Sequence, residues 1–135
     1  MKLRAAAAVT AALAFAGVAL SGTNAQAATG VPQICSKYSN YLCLFYNSYY
    51  EGAYYATQRQ TSNFDGEWFD RCGTSCAGLE YPVKNNAASA SVGNTGSTAR
   101  IFFNSNWAGV WDDVAPNSKR QLDKTYNNNA SMNWL

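Results

Sequence analysis

The sequence predicts an all-β fold, two Greek-key motifs packed as a sandwich. Three observations carry the prediction. A stretch of aromatic residues ending in glycine occurs twice, as Phe45-Tyr46-Asn47-Ser48-Tyr49-Tyr50-Glu51-Gly52 and Phe102-Phe103-Asn104-Ser105-Asn106-Trp107-Ala108-Gly109. Each copy is followed downstream by an Asn-Asn-x-Ala-Ser run, at 85–89 and 127–131. After the N-terminal region, short apolar runs alternate with Asn, Gly and Ser turns, and no stretch keeps a helical period. A duplicated hairpin with a return strand is the sequence form of two Greek keys burying their apolar faces against each other.

The chain opens on a targeting pattern. Lys2 and Arg4 precede an uncharged Ala-rich run over 5–20, and Ala25-Gln26-Ala27 fits a small-x-small cleavage site. Residues 1–27 are therefore read as a secretory signal. The run is short and followed by a cleavage site, which argues against a membrane anchor. Residues 28–135 form one domain of ordinary length, the first motif over about 35–93 and the second over about 97–135.

Lys2 and Arg4 account for the formal charge of +2. The remaining basic residues balance the acids, and a neutral domain has no electrostatic footprint for nucleic acid or anionic lipid. Neither is expected as a partner, and the domain is expected to be a monomer. The absence of histidine removes Ser-His-Asp and Cys-His catalysis and His-based metal sites. An enzyme is not expected. The four cysteines, Cys35, Cys43, Cys72 and Cys76, form an even set in a small exported domain and read as disulfides. Local pairing of Cys35 with Cys43 and Cys72 with Cys76 is preferred among three connectivities. A four-cysteine zinc site is the alternative.

In order, residues 35–43 are a bridged turn and 42–46 a strand. Asn47-Ser48 is a turn and 49–57 the second strand of a hairpin. Asp65-Gly66-Glu67 is a turn flanked by Trp68 and Phe69 as core candidates. Two nearby carboxylates also occur in acid–base sites, but no convergent groups accompany these. Arg71-Cys72-Gly73-Thr74-Ser75-Cys76-Ala77-Gly78 is a cysteine-bracketed loop without a counterpart in the second copy. It reads either as a pinned surface loop or as a presented binding loop, since bridging lowers the entropy lost on docking. Its Cys-x-x-x-Cys spacing is not that of a thiol-redox pair. Residues 93–97 join the repeats, and 99–103 and 110–111 repeat the hairpin. Asp112-Asp113 and 115–118 supply turns, and Trp134-Leu135 ends the chain on apolar side chains expected to pack.

The aromatic, four residues, aromatic, one residue, glycine spacing is similar to the signature of the βγ-crystallin Greek-key motif. Phe45, Tyr50 and Gly52 fit it, as do Phe102, Trp107 and Gly109. The resemblance implies a folded hairpin in which glycine takes a positive φ, tied down by a late serine, here Ser89 and Ser131. Calcium sites of that family use an Asn/Asp pair, two spacers, Ser/Thr and then Ser. Asn85, Asn86 and Ser89 match in the first run and Asn127, Asn128 and Ser131 in the second, while Ala90 and Met132 replace the last serine. Neutral oxygens imply at most weak calcium binding, about 10⁻⁴–10⁻³ M or poorer. The alternative is that these side chains only hold the turns. No other cofactor is expected.

The chain also resembles secreted bacterial peptidase inhibitors of the Streptomyces metalloproteinase inhibitor type. The Ala-rich signal, Cys35 with Cys43-Leu44-Phe45-Tyr46 and the Asn-Asn-x-Ala-Ser run carry that resemblance. It implies an extracellular peptidase as partner and a disulfide-closed reactive loop. The family's loop lies in the second motif, which here lacks cysteine. The candidate is therefore the loop of the first motif, through Arg71, Gly73, Thr74 and Ser75. The expected function is inhibition by reversible loop occlusion. The alternatives are a calcium-binding structural or cell-surface module and a killer-toxin-like antimicrobial protein. Neutral charge argues against simple membrane lysis.

Overall fold

The computed structural model describes residues 31–135. The expected signal at 1–27 lies outside them. Eight strands are described: β1 (Leu42–Phe45), β2 (Ala53–Thr57), β3 (Arg71–Cys72), β4 (Ser89–Val92), β5 (Ala99–Asn104), β6 (Ala108–Val114), β7 (Ser118–Gln121) and β8 (Ser131–Trp134). They form two antiparallel sheets, β3-β2-β1-β4-β7 and β6-β5-β8. The all-β, two-motif expectation is met.

The motifs interlock by exchanging a segment. β7 belongs to the second motif but pairs with β4 of the first. In return Thr61 of the first motif bridges to Met132 of β8, with both backbone bonds at 2.9 Å. Separating the motifs would therefore strip hydrogen bonds from both sheets, a cost that binds the halves into one unit.

Strand alternation decides what the sandwich buries. Leu42, Leu44, Tyr55, Ala90 and Val92 of the first sheet meet Ala99, Ile101, Val114 and Met132 of the second, joined by Phe64, Phe69 and Val83 from connecting segments. A smaller cluster lies on the outer face of the first sheet: Cys43, Phe45 and Tyr54 under Cys35, Val31 and Ile34. The Cys35–Cys43 disulfide pins that covering segment, and Ser91 Oγ donates to the Cys35 carbonyl at 3.0 Å.

Several local expectations are revised. The second strand begins at Ala53 and not at Tyr49, because the hairpin folds over with positive φ at Tyr49, Tyr50 and Gly52. Phe69 is fully buried whereas Trp68 is 52% exposed, since adjacent residues of extended chain face opposite ways. Asp112-Asp113 lies inside β6 and is not a turn. Trp134 is partly buried and its Nε1 donates to the Gln58 carbonyl at 2.9 Å, while Leu135 stays exposed.

Candidate functional site

The sequence-derived candidates fall in two places. The first is the loop over 71–78. Cys72 bonds to Cys76, closing a ring of sequence separation 4. Its base is β3, which adds to the outer edge of β2 through Ala53–Cys72 and Tyr54–Arg71 pairs. Three bonds then fix the loop to the hairpin: Gly73 N donates to Gly52 O at 3.1 Å, Ala53 N to Ala77 O at 2.8 Å, and Gly52 N to Thr74 Oγ1 at 3.4 Å. Gly73 is needed because a Cβ there would lie 2.4 Å from the Gly52 carbonyl oxygen. Arg71 is exposed and paired with Asp70 at 2.8 Å. Ser75 is exposed, and Gly73 and Thr74 are half-buried. Chemically this is a rigid, solvent-facing strand-and-turn without a nucleophile–base pair.

The second place is the pair of Asn runs. They lie against each other across the two motifs. Asn85 N donates to Asn129 O at 2.7 Å and Asn127 N to Ala87 O at 3.0 Å. Asn129, absent from the sequence candidates, is the clasp: buried, it donates to Ala87 O at 2.7 Å and Thr125 O at 3.2 Å and accepts from Ala87 N at 3.3 Å. Its signal was the third Asn of 127–129, read only as a spacer.

Ser89 and Ser131 close the aromatic hairpins. Each buried hydroxyl accepts one bond and donates another: Ser89 with Tyr50 N and Asn47 O, Ser131 with Trp107 N and Asn104 O. The residues just before them are Ala88 and Ala130, which offer no side-chain oxygen. Asn86 Nδ2 donates to Pro82 O and Lys84 O, and Asn128 Nδ2 to Tyr126 O, so both amides also hold turns.

Asn86 and Asn127 do come together. They line an open polar cleft of about 450 Å³ with Asn47, Tyr49, Glu51 and Tyr126. Glu51 supplies the carboxylate that the runs lack. Glu51 belongs to the repeated aromatic stretch, so nothing in the Asn runs points to it. Asn85 is exposed with a positive φ, and Ser89 and Ser131 sit beneath the hairpins rather than on the cleft wall.

A further polar cluster sits under β6. Asp112 is buried, and its Oδ2 accepts from Asp123 N at 3.0 Å, Thr125 N at 2.9 Å and Thr125 Oγ1 at 2.9 Å. Arg120 Nη2 approaches Oδ1 at 2.9 Å as an ion pair, off the hydrogen-bonding direction. Next to it Arg100 grips Asp113 with both arms, at 2.7 and 2.8 Å. Those bonds hold the Asp113 carboxyl below its usual range, against the opposing effect of partial burial. The arrangement organises the loop after β7.

Two disulfides in so small a domain indicate an oxidising compartment. Among the described residues, no helix is long and apolar enough to cross a membrane. No family model and no curated protein matches the sequence. A solved structure, described as "Evolution of the eye lens beta-gamma-crystallin domain fold", matches with a TM-score of 0.55 at 17% identity, covering 77% of this chain and 88% of that one. Identity at that level speaks to architecture only. With its interlocked Greek keys, folded aromatic hairpins and serine ties, the chain has the fold of a βγ-crystallin domain.

Proposed function

We propose that the chain is a secreted, disulfide-stabilised inhibitor of an extracellular peptidase, acting by reversible occlusion of the active-site cleft. The observation that supports this reading is the loop at 71–78. It is exposed, closed by Cys72–Cys76 and held to the Gly52 hairpin by backbone bonds. A loop already fixed in the free protein loses little conformational entropy on docking, and its ends stay together if one bond is cut. Arg71, Gly73, Thr74 and Ser75 would make the contacts. The test is a panel of metallo- and serine peptidases assayed with the mature protein at micromolar concentration. Inhibition is expected to weaken when Cys72 and Cys76 are both replaced by serine. No effect on any peptidase overturns the proposal.

The cleft favours a second reading, a calcium-binding structural or cell-surface module. Glu51 lines it together with Asn86 and Asn127. One carboxylate with neutral oxygens suits a hard cation at weak, extracellular-type affinity. Calcium titration followed by thermal melting tests it. A rise in midpoint that Glu51→Gln abolishes supports the module, and an unchanged midpoint rejects it.

A further inference from the structure

The two motifs are built alike but finished differently. Superposing the repeats by sequence, with Phe45 on Phe102, puts β2 on β6, Tyr54 on Trp111 and Cys43 on Arg100. In the first motif β3 covers the outer edge of β2. The segment from Val31 covers the outer-face aromatics, leaving Phe45 fully buried and Tyr54 nearly so. Each cover is pinned by one of the disulfides.

The second motif has neither cover among the described residues. Among the described strands β6, at seven residues the longest, pairs only with β5. On it Trp111 is 41% exposed and Val110 52%. In place of the disulfide, Arg100 lies over the Trp111 ring at 4.4 Å. A long strand with a free edge and an exposed tryptophan, Trp111, upon it is a template for another strand unless charge, proline or a cover blocks it.

We infer that this open side is a self-association surface, on which two copies pair antiparallel through β6. The charge pattern selects a second copy. With Trp111 on the twofold, Val110 faces Asp112, Gly109 faces Asp113 and Ala108 faces Val114, so no like charges meet. Both acids are already matched within their own chain, by Arg120 and Arg100. Centring one residue later sets Asp112 against itself, which cross-strand repulsion disfavours. Arg120 Nη1 already holds the Asp113 carbonyl at 3.1 Å, which removes one acceptor from each end of the ladder. The Trp111 pair at its centre keeps both bonds.

The surface is separate from the proposed inhibitory loop. Asp112 on β6 contacts Arg120 on β7, and β7 lies at the far end of the first sheet from β3. A dimer formed through β6 leaves both loops open to solvent.

Sedimentation equilibrium of the mature chain over a range of micromolar concentrations tests this without reference to any peptidase. A monomer–dimer equilibrium is expected. Val110→Glu, at an exposed position, sets a carboxylate opposite Asp112 of the second copy and is expected to weaken it about tenfold or more, while leaving the melting midpoint of dilute, monomeric protein unchanged. Trp111→Lys serves as a second variant. Tyr38→Lys, on the covered side, is expected to change nothing. A single-chain mass at every concentration overturns the inference, whatever other protein the face then binds. So does a dimer that neither Val110→Glu nor Trp111→Lys weakens.

Discussion

The Ser131 hydroxyl takes the Trp107 amide at 3.0 Å and gives its own proton to the Asn104 carbonyl at 2.6 Å. One side chain thereby closes the second hairpin at both ends. Asn106 and Trp107 there hold φ of 60° and 59°, a backbone region that costs side-chain-bearing residues energy. Ser131→Ala leaves an amide and a carbonyl without their partner. The expected loss is about 2–3 kcal/mol, allowing for partial access of water. Chemical denaturation reads it directly. Ser89 plays the same part for Tyr50 and Asn47, so Ser89→Ala should cost a similar amount. A loss below about 0.5 kcal/mol in either variant would show that the hydroxyl is not the lock.

Much of this lock was legible in the sequence. The aromatic and glycine spacing with a late serine named Phe45, Tyr50, Gly52 and Ser89 and their second-motif counterparts, because those residues answer local backbone demands. Other features carry no local signal. Tyr49 and Tyr50 look like strand residues, but their amides donate to the side chains of Gln121 and Ser89, both distant in sequence. Trp68 and Phe69 are equally apolar, so pattern alone did not show which points inward. Glu51 of the first motif shares a cleft with Asn127 of the second because the motifs interlock, which no local pattern signals. The sequence candidates took Asn127 and Asn128 of the second run, whereas the buried clasp is Asn129.

The Asp112-Asp113 pair predicts a turn, yet alternation along β6 turns Asp112 inward. Its carboxylate gathers Asp123 N, Thr125 N and Thr125 Oγ1 and faces Arg120. Asp112→Ala strands those donors and a cation together. Removal of one partner from a buried, hydrogen-bonded ion pair typically costs about 3–5 kcal/mol. Arg120→Met should be milder, because the guanidinium is partly exposed and the backbone donors keep their acceptor. Equal losses in the two variants, compared by thermal melting, would contradict this ranking.

The Arg100–Asp113 pair sets a pH dependence with a defined sign. Its hydrogen bonds depress the Asp113 pKa in the folded state. The contribution is therefore present above the carboxyl's unfolded pKa and is lost as pH falls through the lower folded value. Both side chains are partly exposed, so salt should weaken the effect. Arg100→Met is expected to move Asp113 titration upward toward the ordinary range, followed by NMR of the side-chain carboxyl carbon. The Trp111 fluorescence should change in the same variant, because the guanidinium no longer lies over its ring. An Asp113 titration that stays low without Arg100 would assign the shift to another cause.

The two disulfides should differ in what they protect. Their loops have sequence separations of 8 and 4, and denatured-state entropy alone gives about 2–3 kcal/mol for each. Cys35–Cys43 also pins the segment covering Phe45 and Tyr54. Replacing that pair with serine lets the cover lift and wets two aromatic rings. Cys72–Cys76 closes an exposed loop whose base is still held by β3 and by the Gly73 and Ala53 backbone bonds. The Cys35→Ser/Cys43→Ser protein is therefore expected to melt lower and to bind a hydrophobic dye more strongly. The Cys72→Ser/Cys76→Ser protein should keep its core and lose mainly the fixed geometry of the loop. Hydrogen exchange separates the cases: the first variant should expose amides of β1, and the second only those around β3. Faster exchange across β1 in the second variant would mean that the loop supports the sandwich rather than being carried by it.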